Sequence, residues 1–251
     1  MTRAFITLTR RELAAFFYSI SGYVIIAAAT FLVGYSFVVM LQRLGSDASP
    51  MPVTELFYRT DFLWRIVLLA APVITMRLFA QERATGTFET LMTAPVSDLS
   101  VVLAKFAAAL LFYLVMWLPM LACLFSVQHY ARQSGALEPG TLISMYLGIA
   151  LIGGLFLSLG CFASALTRSH VVAAMVASVL CLSFFALGYL AEEVTGGAAW
   201  QAQVLSHFTL FQQMEDFARG VVDTRTVVLY LSLTFFFLFL TLRAVESRRW
   251  R

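Results

Sequence analysis

The stretch Leu142–Leu166, LISMYLGIALIGGLFLSLGCFASAL, decides the fold class. It carries no charged side chain and is longer than the about 20 residues that cross the hydrocarbon core of a bilayer as a helix. In lipid no water satisfies an exposed backbone group, so such a run folds as a helix, whose hydrogen bonds close within the segment. Five more long apolar runs accompany it, of which only the second and third hold charges: Ile20–Leu41, Phe62–Ala80, Leu99–Val127, Val171–Leu190 and Thr226–Leu242. An all-α membrane protein of six spans is expected. Composition agrees, because the chain is 61% hydrophobic and 12% charged, against roughly 45–50% and 25% for soluble domains. Pro72 and Pro119 fall within the second and third spans, where neighbouring helices can re-satisfy the freed carbonyls, so kinks are expected there. The first apolar run is too long for a signal-peptide core and is expected to stay as an anchor.

The segment before the first span is amphipathic. On a helix, Phe5, Ile6, Leu13, Phe16, Phe17 and Ile20 fall within an arc of roughly 120°, with Arg3, Thr7, Arg10 and Arg11 opposite. Residues 1–19 are therefore expected to form an interfacial helix with its arginines near anionic headgroups, the alternative being an inward extension of the first span. Residues 20–242 would hold the six spans and 243–251 a basic tail, all in one membrane domain. Between the last two spans, Val204, Phe208, Phe211, Met214 and Ala218 recur at three- and four-residue steps, which suggests a second amphipathic helix. Cys123, Cys161 and Cys181 all lie in apolar runs and read as small buried hydrophobes.

Orientation follows from the basic residues. With both termini in the cytoplasm, the inner side holds eleven of the seventeen: Arg3, Arg10, Arg11, Arg77, Arg83, Lys105, Arg168, Arg243, Arg248, Arg249 and Arg251. Arg43, Arg59, Arg65, Arg132, Arg219 and Arg225 remain outside, where most of the acids also fall. Both termini inside is the expected topology.

Several functions are disfavoured by what the chain contains. A phosphate-cradling loop of the G-x-x-x-x-G-K-[ST] type needs a lysine in that context, and the single lysine, Lys105, sits between Ala104 and Phe106. No nucleotide-binding site is expected, and the chain is not expected to be an enzyme. His129, His170 and His207 are far apart, whereas a zinc site needs three or four converging ligands, so neither metal nor other cofactor is expected. Nucleic-acid binding would require a basic cluster on a polar face, which is lacking. Ion-coupled transport would require ionisable groups at mid-membrane depth. The first, fourth, fifth and sixth spans have none in their interiors, a pattern that suits a driving force applied from outside the bilayer.

The connection between the second and third spans, residues 81–98, offers a point of entry for that force. Gly86 is a break and Pro95 a stop, and between them Phe88, Leu91 and Met92 take i, i+3, i+4 spacing on a short helix. Ser97 or Asp98 can cap the third span. A capped amphipathic helix of this kind suits a docking knob for a partner's groove, although periodicity alone fits a loop lying on the membrane equally well.

The pattern Glu82-x-x-x-Gly86-Thr87-x-Glu89-x-Leu91-x-x-x-Pro95-Val96-Ser97, followed by Lys105, resembles that of ABC-2-type exporter permeases. The resemblance extends to Arg10-Arg11-Glu12-Leu13, to the run Ala163–Thr167, to Arg219–Arg225 and to the tail Glu246–Arg251, and it is nearest to the gliding-motility-associated permease group. It implies a permease subunit of a bacterial inner-membrane exporter. Two copies of an ATP-binding subunit would serve a pair of permeases, either identical or homologous, and a periplasmic auxiliary protein could join them. Glu82, Gly86, Thr87, Glu89 and Pro95 would be coupling positions, with Phe88, Leu91 and Met92 as the apolar face. Family dimers meet through the first and fifth helices, where Ala174, Ala177 and Ser178 would permit close approach; the same small residues would also suit lipid. Gly154–Ser158 and Gly160–Ser164 on the fourth span suit packing within the subunit. Two other readings stand beside this one: a permease serving metalloenzyme maturation, and a membrane scaffold that recruits an ATPase to drive an extracytoplasmic machine.

Overall fold

The computed structural model describes residues 2–46, 62–86, 97–130, 139–193 and 210–247. All of its elements are helices: α1 (Thr2–Phe17), α2 (Ile20–Ser46), α3 (Phe62–Thr75), α4 (Ala80–Thr85), α5 (Asp98–Met116), α6 (Leu118–Tyr130), α7 (Pro139–Leu166), α8 (His170–Glu193), α9 (Leu210–Ala218) and α10 (Thr224–Glu246). Six stretches among the described residues are long and apolar enough to cross a membrane: Ile20–Gln42, Phe62–Thr85, Asp98–Ser126, Pro139–Leu166, His170–Gly188 and Thr224–Glu246. These are the expected spans. The largest difference is that the second continues past Ala80 to Thr85. Six crossings bring α1 and the C-terminal end of α10 to one end of the bundle, here the near end, and leave α9 at the far end.

The spans that contain the two prolines are both interrupted, the second after Thr75, past Pro72, and the third at Trp117, just before Pro119. After Pro72 the helix stops at Thr75 and resumes at Ala80, bridged by Met76 N–H to Pro72 O (2.9 Å) and the tighter Leu78 N–H to Thr75 O (3.1 Å). Before Pro119 the chain turns at Trp117, whose N–H bonds the Leu114 carbonyl three residues back and whose own carbonyl accepts from Met120 N–H and from the Tyr146 hydroxyl at 2.8 Å. A proline removes one ladder bond and pushes on the preceding turn, and before Pro119 the chain tightens locally with its Leu114 and Trp117 carbonyls paired.

The fourth span, α7, is the axis of the molecule. It packs against α3, α5, α8, α9 and α10, and 72% of its most apolar window is buried, against 22% for α2, α8 and α10. Small residues make that contact possible. A side-chain carbon on Gly160 would lie 2.0 Å from the Thr75 hydroxyl, and one on Gly153 would lie 2.1 Å from the Tyr113 ring, so α3 and α5 approach α7 more closely than any larger residue permits. The small residues of this span thus pack within the chain.

The N-terminal helix is a separate element, divided from α2 by a turn at Tyr18 and Ser19. Its apolar face lies along α5: Leu13, Phe16 and Phe17 join the core, and Phe16 stacks on Phe112 at 4.8 Å. At the far end α9 buries Leu210, Met214, Phe217 and Ala218 against α7 and α8. Met214 and Ala218 belong to the periodic set read from the sequence; Val204 and Phe208 lie outside the described residues. Cys161 and Cys181 are buried, Cys123 is half-buried, and all three are free thiols.

Candidate functional site

The near end is held by polar side chains where the middle of the bundle is held by apolar ones. Its centre is Lys105, early in α5 and only 3% exposed. A cation buried to that degree requires compensation, since an ammonium removed from water without a partner costs several kcal/mol. Its Nζ lies 2.8 Å from Glu82 Oε1 on α4 and 3.3 Å from Glu12 Oε2 on α1, with the Phe79 ring centroid 5.6 Å away. Arg11 closes the group: its Nη2 donates to Glu12 Oε1 at 2.7 Å and stands 3.6 Å from Glu82 Oε1. The hydrogen bond to Glu12 raises the Arg11 pKa above the usual arginine value. Two bases and two acids from three separate elements neutralise one another.

Around this group, α4 is fixed on its other sides by the fourth span. The Ser164 hydroxyl accepts from the N–H groups of Phe79 (3.1 Å) and Ala80 (3.2 Å) and donates to the Met76 carbonyl (3.4 Å). Those N–H groups are the donors that a helix start leaves without intrahelical partners, so Ser164 supplies from α7 the cap that α4 lacks in its own sequence. Arg83 Nη1 donates to the Ala165 carbonyl at the end of α7. On the opposite side, Arg77 Nη1 donates to Ser21 (2.7 Å) and Ser19 (3.3 Å), clipping the α1–α2 turn to the second span. Ser97, rather than Asp98, caps α5 by accepting from Ser100 N–H at 3.4 Å.

The helix α4 ends at Gly86, whose φ of 74° is left-handed. Glycine adopts that conformation without the steric penalty of a Cβ and is the usual residue just beyond a helix end. The chain therefore turns sharply there, out of a helix anchored to α1, α5 and α7.

Of the coupling positions read from the sequence, Glu82 and Gly86 belong to this junction. Thr87, Phe88, Glu89, Leu91, Met92 and Pro95 lie outside the described residues. On α8, Ala177 is buried within the chain, whereas Ala174 and Ser178 are half-buried; its exposed face carries Val171, Val172, Met175, Val179 and Leu182. The ion group itself was not assembled from the sequence, although Arg11, Glu12, Glu82 and Lys105 each stood in a motif. The available signal was the lone lysine within an apolar helical run, which demands a countercharge. Among the described residues no three His, Cys, Asp or Glu side chains converge as metal ligands would.

Six apolar spans around a buried central helix, with a polar junction at one end, define a polytopic helical membrane protein. Residues 53–243 match the model of the ABC-2 family transporter proteins, and the chain belongs to that family. It is accordingly the membrane permease component of an ABC system, not a nucleotide-binding domain, and members of the family generally work with an ATP-binding subunit. No curated protein matches the chain.

Proposed function

We propose that the chain is the permease subunit of an exporter in a bacterial inner membrane, with both termini in the cytoplasm and a separate ATP-binding subunit docked on the segment that follows Gly86. Two such ATP-binding subunits would serve a pair of permeases, and the gliding-motility-associated group is the nearest branch. The observation that carries this reading is the anchoring of α4. Through Glu82 it is tied to Lys105 on the third span and Glu12 on the N-terminal helix, and through Arg83 and Ser164 to the fourth. A displacement applied beyond Gly86 would be delivered to three elements at once, which is what a coupling lever requires. The eleven-to-six basic asymmetry supports placing this end in the cytoplasm.

Glu89 and the apolar trio Phe88, Leu91 and Met92 would make the docking surface. Losing one partner of a partly desolvated pair at such an interface costs about 2–5 kcal/mol. Glu89→Ala is therefore expected to weaken recovery of the ATP-binding subunit or to uncouple its ATPase activity from transport, with membrane insertion intact. Glu55→Ala, on the opposite side in this topology, should do neither. Pull-down and coupled ATPase assays on the two variants test the reading, and wild-type behaviour of Glu89→Ala would remove that carboxylate from the transmission. Impermeant cysteine labelling in intact cells that reached position 87 but not 200 would reverse the topology.

A further inference from the structure

Of the cations that line the near-end cavity, Arg77 is left without a carboxylate among the described residues. Arg77 is exposed, and among the described residues its only polar partners are the hydroxyls of Ser19 and Ser21, both held by Nη1, and it forms no ion pair. It lines a cavity of about 390 Å³ whose walls also include Arg11, Glu12, Gln81, Glu82 and Lys105. The walls carry three cations and two carboxylates, and the carboxylates are already engaged by Lys105 and Arg11. The excess charge belongs to Arg77.

Its depth is set by the helices it joins. The uncharged stretch Ile20–Gln42 is roughly 30 Å or slightly more as a helix, enough to fill the hydrocarbon layer, so Ser19 and Ser21 mark the border of that layer. Arg77 is also the first charge met on passing from the middle of the second span toward the near end. Next to its partners Ser19 and Ser21 on the chain stand exposed apolar side chains, Tyr18 at 90% and Ile20 at 83%, with Tyr23 and Val24 following. A pocket with net positive charge at the hydrocarbon border, flanked by outward-facing apolar groups, matches the two halves of a charged amphiphile. Basic pockets between spanning helices bind lipid headgroups by the same chemistry.

We propose that this pocket is a binding site for an anionic phospholipid. Arg77 and Arg11 receive its phosphate, and its acyl chains lie against Tyr18, Ile20 and Tyr23. The site does not depend on the ATPase reading, because the membrane border fixes it and not the segment beyond Gly86. A soluble phosphate ester offers the same headgroup chemistry, but the apolar flank favours the lipid.

The test uses the full chain purified in mild detergent, with co-purified lipid counted by mass spectrometry. It is also reconstituted into nanodiscs of phosphatidylcholine with and without phosphatidylglycerol. Arg77→Gln should lower phosphatidylglycerol retention about fivefold, which is ~1 kcal/mol, the gain expected of one basic side chain near an anionic lipid. Arg77→Lys should keep most of it, and Arg243→Gln, whose arginine pairs with Glu246 elsewhere on the near end, should keep all of it. Phosphatidylglycerol should raise the melting temperature of the wild type and not of Arg77→Gln. The proposal is overturned if folded Arg77→Gln retains phosphatidylglycerol like the wild type. It is equally overturned if glycerol phosphate added to phosphatidylcholine discs stabilises the protein as well as the lipid does, or if the variant loses the ATP-binding subunit while keeping the lipid. Should Arg77→Gln fail to accumulate, Arg11→Gln on the opposite wall decides: reduced retention supports the site and unchanged retention rejects it.

Discussion

The middle of α7 and the near-end junction hold the same helices together by opposite means. At Gly153 and Gly160 the neighbours fit because the Tyr113 ring and the Thr75 side chain occupy the space that a side chain on either glycine would need. At Lys105 the neighbours fit because charges and hydroxyls from α1, α4, α5 and α7 find one another. Close packing has one arrangement, and displacing it opens voids that nothing refills. An ion group has several, since Arg11 already stands 3.6 Å from the carboxylate that Lys105 holds at 2.8 Å and could take it over. The middle is thus built as a rigid body and the junction as a place where contacts can be exchanged.

The largest effect should come from filling the packed middle. Gly160→Val places carbon where the Thr75 hydroxyl lies 2.0 Å away and is expected to exceed the ~1–3 kcal/mol of ordinary overpacking, seen as loss of monodisperse protein in size-exclusion chromatography. Thr75→Ala in the same chain should restore part of it, and a Gly160→Val variant that melts like the wild type would break the contrast. Next comes Lys105→Met, which leaves Glu12 and Glu82 facing each other. About 3 kcal/mol is expected, the lower end for a broken buried pair, because the two carboxylates are 15% and 16% exposed. Adding Glu82→Gln should recover stability in thermal melts, and strict additivity would mean that the pair does not act as a unit.

Ser164→Ala should cost about 1–2 kcal/mol, the penalty for orphaning buried backbone donors, here the N–H groups of Phe79 and Ala80. Faster hydrogen exchange confined to residues 76–86 would localise it; exchange that rises equally across α7 would assign the serine to general packing instead. The smallest effect belongs to Arg11→Ala. Its side chain is 57% exposed, and exposed pairs contribute ~0.2–1 kcal/mol and are screened by salt. A loss that persists in high salt would show that Arg11 does more than shield Glu12.

The six spans were legible because each is long enough to cross the hydrocarbon layer as a helix and lipid admits almost no other fold for such a run. The separate N-terminal helix was legible from its apolar arc. Bends in the second and third spans were legible from Pro72 and Pro119, but not which distant groups pair the backbone at the interruptions. Tyr146 takes the Trp117 carbonyl and Ser164 the Phe79 and Ala80 N–H groups, both from the fourth span, far away in sequence. The junction was half legible for the same reason. Glu82 and Gly86 could be read from the local pattern, whereas the pairing of Lys105 with both Glu82 and Glu12 depends on how α1 lies along α5, which periodicity does not specify.

The burial of Lys105 has a practical corollary. It is the chain's single lysine, and its amine is enclosed by Glu82 and Glu12 at 3% exposure. An acylating reagent must reach the amine, and the enclosure at the junction bars its approach. The native side chain should therefore stay silent toward such reagents while the junction is closed and become reactive only as it opens. Mass-spectrometric acylation at this one position, followed through nucleotide addition to the assembled complex, would time the opening with no engineered label at all.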